Sequence, residues 1–192
     1  MGSSASMLKN HKINIDSYKN IFRFNRAPTS GFEEFVGSKT DYRVLNNHVF
    51  ENRKQWLNSE LYSNQDFELI EGLKNTNIIL IGTIQHTHKI HKKNFIKKNN
   101  KVYIFNYKKV EKLKTSVGFK SSKNMSIGAI MISLLLINDS KVNLIGFDTD
   151  YIDTTHYWES RPRQMSERHD QKYEKKWLTN LINEQDNINV LL

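Results

Sequence analysis

Two short runs constrain this chain more than anything else in it, Asn77–Gly82 (NIILIG) and Val142–Phe147 (VNLIGF). Each is apolar almost without interruption and lacks the alternation of a strand with one face in water. Strands read this way when both faces are covered, as happens when helices cross over between parallel strands. Other segments fit such a sheet. Ile21–Asn25 and Thr40–Asn46 read as strands, with Ile21, Phe22 and Phe24 suited to a strand, Arg23 facing out, and Tyr42, Val44 and Leu45 buried. Val102–Phe105 and Ile188–Leu192 read as two more. Helical spacing covers Glu51–Gly72 around Trp56, Leu57, Leu61, Phe67 and Ile70, and Gln171–Asn183 around Tyr173, Trp177, Leu178 and Leu181. Ser126–Ile137 is apolar nearly all round, as a buried helix is. Strands alternating with helices predict an α/β domain with a mostly parallel sheet and helices on both faces.

At 192 residues the chain is one domain by size. It has no cysteine, so neither a disulfide nor a thiol nucleophile is available, which is compatible with a reducing compartment. The longest apolar run, Ile127–Ile137, is about half of a membrane span. The N-terminus is Gly/Ser/Ala-rich and then basic, unlike a secretory leader. These features predict a cytoplasmic protein, or one peripheral to the inner face of a membrane. The net charge of +9 is concentrated: residues 86–123 hold twelve lysines and one acid, Glu111, a local excess of +11 that leaves about −2 for the rest. Such a block suits an anionic membrane surface or simply a solvated face. Without arginines or a recognition helix it does not predict specific nucleic-acid binding.

Ligands of open α/β sheets collect at the C-terminal strand ends. Asn25 and Asn46 close two predicted strands there, with Pro28, Gly31 and Gly37 punctuating the chain between them. Gly2–Leu8 (GSSASML) is either a phosphate-side loop whose strand lies upstream or a plain tail. His86, His88 and His91 have no carboxylate or cysteine beside them to complete a metal site. Asp148, Asp150 and Asp153 follow a buried strand, where a metal-dependent transferase site and an ordinary loop look alike. No dinucleotide, P-loop or nucleophile-elbow motif is present. In the last third, His156-Tyr-Trp-Glu159 and His169 with Glu174 bring two imidazoles close to the final helix. One such ring can take a proton from a sugar hydroxyl while another stabilises a departing phosphate.

The order of these segments carries a resemblance. NIFRFNRAPTSGFEEFVGSKTDYRVLN resembles the large sialylmotif of animal-type sialyltransferases, and Ser126-Ile-Gly128 with the following helix and VNLIGF is similar to the small one. His156-Tyr-Trp-Glu159 resembles the third motif, and His169 with Glu174 the very small one. The resemblance implies a Rossmann-like nucleotide-sugar glycosyltransferase fold and transfer of sialic acid from CMP-sialic acid to a sugar hydroxyl, inverting, with no metal and no cofactor. It implies His169 as general base and His156 at the donor phosphate. Gly2, Ser3, Ser4, Asn25, Ser126, Ile127 and Gly128 would hold the donor, with Asn46 and Glu174 in support. The implied acceptor is a galactose-terminated glycan; if it is lipid-linked, the basic block would dock on an anionic membrane.

This sequence departs from the family pattern in several places. The family's cysteine pair is missing, as a bacterial or viral cytoplasmic form would be, with Asp139 near one of its positions. Ser3 replaces an asparagine, Met125 a proline and Phe35 an aspartate. The expectation is a single sialyltransferase-like domain, 1–192, truncated at its N-terminus with the first strand upstream of Met1. Three alternatives stay open: a transferase using another CMP-activated acid such as Kdo, a non-catalytic glycan- or nucleotide-binding module, and a basic protein that binds arbitrary RNA or DNA with no preference for CMP.

Overall fold

All strand-to-strand pairings in the described residues are parallel. The structure, a computed structural model, describes residues 1–2, 4–9, 12–46, 73, 76–82, 101–147, 156–158 and 169–191. They fall into two units, His11–Tyr107 and Met1–Asn10 with Lys108–Leu192. The predicted helix Glu51–Gly72 and the His86–His91 cluster lie outside the described residues, as do Ser3, Asp148, Asp150, Asp153 and Glu159.

In the unit His11–Tyr107, β1 (Phe22–Phe24), β2 (Tyr42–Asn46), β3 (Asn77–Gly82) and β4 (Val102–Asn106) form a four-stranded sheet in that order. The short helix α1 (Glu33–Val36) lies in the β1–β2 crossing and ends at Gly37, whose φ of 68° suits glycine. Val44, Leu45, Ile78, Leu80 and Ile81 are buried, each worth about 1.5–3 kcal/mol of transfer free energy. Tyr42 stacks on its register partner Phe22 at 4.6 Å and is half-buried, not buried as expected.

Arg23 overturns its outward assignment, being 1% exposed. Its guanidinium donates to the carbonyls of Val36 (2.6 Å), Gly37 (3.1 Å) and Lys39 (3.0 Å) and to Thr40 Oγ1 (2.9 Å). Asp16 takes the amides of the same peptide run: its carboxylate accepts from Ser38 N and Lys39 N, both at 3.0 Å, and from Ser38 Oγ at 2.8 Å. A planar fork with five donors suits several carbonyls at once, and that is what makes a buried arginine tolerable here. Strand periodicity cannot reveal this, because the partners lie 13 to 17 residues away.

In the other unit, β5 (Val142–Ile145) pairs with β6 (Ile188–Leu191) as a two-stranded sheet. The helices are α2 (Tyr107–Ser116), α3 (Ile127–Ile137) and α4 (Gln171–Glu184). Ile132, Val142, Leu144 and Ile188 form its core, covered by Leu135, Leu136, Phe147, Leu178, Leu181 and Ile182. Helix α3 is buried over its first half only, and Ile137 is 52% exposed. Helix α2 escaped the sequence reading because it buries only Val110, Leu113 and the stem of Lys114. Lys114 is therefore an exception within the basic block, giving hydrogen bonds to Glu111 and to the Lys123 carbonyl. No described helix is long and apolar enough to cross a membrane.

Candidate active site

The C-terminal end of β5 collects the first group of expected residues. Gly2 N donates to the Ile145 carbonyl at 2.6 Å and Ser4 N to that of Gly146 at 3.4 Å. Gly2 is buried, and a Cβ there would run into the Gly146 carbonyl. Gly146 has φ 71°, and its own Cβ would meet Met7 Sδ at 2.6 Å. These two glycines let backbone lie against backbone, so Gly2 and Ser4 are tied to the end of β5 and are not part of a plain tail. Ser4 also forms an antiparallel bridge with His156. The His156 ring stacks on Trp158 at 4.5 Å, and Tyr157 meets Trp158 edge-on at 4.7 Å.

The second group surrounds the start of α3. Ser126 is its N-cap, with Oγ accepting from Ala129 N at 3.1 Å. Its own amide donates to Glu174 Oε2 at 2.7 Å. The amides of Ile127 and Gly128, on the first turn, have no acceptor within the helix and sit at its positive end. Gly128 is needed for space, since a Cβ would lie 2.9 Å from Phe147 Cε1, just beyond β5.

His169 completes this group. It pairs with Asn124 in a parallel bridge, and Nδ1 lies 2.9 Å from the Asn124 carbonyl oxygen. A carbonyl can only accept, so Nδ1 carries the hydrogen, and in the neutral ring Nε2 holds the lone pair. The following residue, Asp170, caps α4 through Oδ1 to Tyr173 N at 3.1 Å and accepts from Ser121 Oγ through Oδ2 at 3.2 Å. Tyr173 Oη in turn accepts from Lys120 N at 2.8 Å. Residues 120–126 thus run along the first turn of α4. Asn124, Asp170 and Ser121 were missed in the sequence, and Tyr173 stood there only as a residue of the helix's apolar face; an aspartate just before a periodic helix was the one available signal.

Asn25 and Asn46 belong to the other unit, where they are joined to each other. Asn25 has φ 46°, its amide donates to the Val44 carbonyl at 2.8 Å, and its Oδ1 accepts from Asn46 N at 3.2 Å. Because that partner is a donor, Oδ1 is fixed and Nδ2 is left to donate. Arg43, buried, holds the following turn through the carbonyl of Ala27 at 2.7 Å. Among the described residues, no group of three or more His, Asp or Glu is placed to hold a metal ion.

Within each unit, part of this set lies at the C-terminal ends of parallel strands, where open α/β sheets bind ligands. The family described as glycosyltransferase family 29 (sialyltransferase) matches residues 3–186. The chain belongs to that family. Mouse beta-galactoside alpha-2,6-sialyltransferase 1 is 40% identical over 63 residues, 32% of this chain and 16% of that enzyme. The zebrafish beta-galactoside alpha-2,6-sialyltransferase 2 is 45% identical over 51 residues, 26% of this chain and 10% of that enzyme. The crystal structure of a mammalian sialyltransferase superposes with a TM-score of 0.64 at 22% identity, covering 99% of this chain and 66% of that one. The same fold occurs in a mammalian sialyltransferase complexed with Gal-beta-1-3GalNAc-ortho-nitrophenol, again with a TM-score of 0.64.

Proposed function

We propose that this chain transfers sialic acid from CMP-sialic acid to a hydroxyl of a galactose-terminated glycan, with inversion at the anomeric carbon and without a metal. The observation that carries the reading is the His169 Nδ1 contact with the Asn124 carbonyl, which turns the basic Nε2 outward from that bond. In the reaction the acceptor oxygen bonds to the anomeric carbon as the bond to the phosphate oxygen breaks. The hydroxyl proton passes to His169 Nε2, and the bond electrons leave with CMP. His156, braced on Trp158, is assigned to the departing phosphate, and the first-turn amides of α3 to the negative charge of the donor. Gly2 and Ser4 shape the loop beside His156. Such a centre needs alignment and leaving-group stabilisation more than a covalent nucleophile.

The direct test incubates the chain with CMP-sialic acid, or with CMP-Kdo, and a galactose-terminated acceptor while CMP binding is followed by calorimetry. His169→Ala is expected to abolish transfer and keep CMP affinity; His156→Ala lowers both. Full transfer by the His169 variant sinks the base assignment. CMP binding without transfer by the unaltered chain would support a binding module instead.

The exposed Lys108, Lys109 and Lys112 of α2 favour contact with an anionic membrane bearing the acceptor. Vesicles with anionic lipid should retain the chain at low salt and release it at high salt; indifference to lipid charge counts against this contact.

A further inference from the structure

We infer that Asp170, through Ser121, is a positioning residue for the imidazole of His169, an inference that rests on His169 serving as the base. The two oxygens of Asp170 have different partners. Oδ1 caps α4 at Tyr173 N, and Oδ2 accepts from Ser121 Oγ. Ser121 Oγ also accepts from Lys123 N at 3.2 Å, which folds the chain toward Asn124. The carbonyl of Asn124 then meets His169 Nδ1, one residue before Asp170. The carboxylate thus closes a loop of contacts, Asp170 to Ser121 to Lys123 to Asn124 to His169. Its far side is closed by Lys120 N on Tyr173 Oη and by Phe119 packed edge-on to Tyr173 at 5.0 Å. A helix cap needs only one acceptor. The second oxygen holds the segment whose carbonyl selects the tautomer of His169, and a base presenting the wrong nitrogen loses its proton acceptor.

The cap and the clasp separate by mutation. Ser121→Ala removes the clasp and leaves the cap; Asp170→Ser keeps a capping hydroxyl and removes the second oxygen. Each is expected to lower kcat about tenfold while the KM for CMP-sialic acid moves less than about twofold, because geometry at the base is lost and donor binding is not. In protein carrying 15N-labelled histidine, the ring signals of His169 should change from an Nδ1–H pattern to a mixture of both tautomers. The double variant should be no worse than either single one, and Asp170→Asn, with an acceptor for Tyr173 N and an amide for Ser121, should keep most of kcat. An unchanged Nδ1–H pattern in Ser121→Ala overturns the inference, whatever happens to kcat. If instead His169→Ala proves fully active, the base reading has failed, and the 15N pattern still reports on the clasp.

Discussion

The main-chain amide of Ser126 donates to Glu174 Oε2 across 48 residues of sequence, at 2.7 Å. The contact joins the cap of one helix to the first turn of another. Glu174 is thereby a structural acceptor for the start of α3, and its carboxylate has a use that does not require proton transfer. Glu174→Gln retains an acceptor oxygen and is expected to bind CMP within about threefold of the parent. Glu174→Ala strands the Ser126 amide and should cost about 1.5–3 kcal/mol of unfolding free energy, the range for hydrogen bonds to charged groups. Chemical denaturation and calorimetric CMP titration of both variants measure this. Equal losses in the two would show that the charge, and not the acceptor, is what matters.

Gly2→Ala places a methyl group on the Gly146 carbonyl. Overpacking of this kind typically costs about 1–3 kcal/mol. The expected result is release of the loop: faster amide exchange at Gly2 and Ser4, and weaker donor binding. Unaltered exchange would show that the loop accommodates the methyl group where it is.

Arg23→Met should be among the most damaging substitutions in the unit His11–Tyr107. It leaves the carbonyls that Arg23 gathers from Val36, Gly37 and Lys39 without that donor. With about 1–3 kcal/mol for each buried group left unsatisfied, a loss above about 3 kcal/mol is expected in a urea melt. Arg23→Lys should recover only part of it, because a point charge cannot serve a planar array of acceptors.

Asp16 gives the fold an acid-sensitive contact. Burial opposes its ionisation, but the amides of Ser38 and Lys39, the Ser38 hydroxyl and the nearby Arg23 charge outweigh it and hold the carboxyl below its ordinary value. A pKa lower in the folded than in the unfolded chain means that the contribution is present at neutral pH and is lost as pH falls through the folded value. The stability gap between the parent and Asp16→Asn should therefore be constant near neutrality and shrink below about pH 4. A gap that grows on acidification would mean that folding raises the Asp16 pKa.

Much of the architecture was legible because burial leaves a compositional trace. Asn77–Gly82 and Val142–Ile145 are strands where near-continuous apolar runs said they would be, and α3 is capped by the serine that introduces its apolar stretch. Helix α2 was not legible, since only three of its ten residues are buried. Arg23 was misassigned because its neighbours alternate as a strand should, while its partners come from a distant loop. At the site, His156, His169 and Glu174 stood out as residue types with chemistry, but what holds them did not. Gly2 acts through the absence of a side chain, and Asn124 through its backbone; neither leaves a mark in side-chain identity.

The bond from His169 to the carbonyl of Asn124 has a consequence for how such a site can change over time. Every residue has a carbonyl, so the instruction that sets the tautomer is written in the path of the chain and not in the identity of residue 124. That position is free to drift, and its exposed side chain can be replaced without altering the ring. Selection would fall instead on the residues that bend the path, and an alignment searched only for invariant polar side chains would pass over the group that fixes which nitrogen of His169 carries the hydrogen.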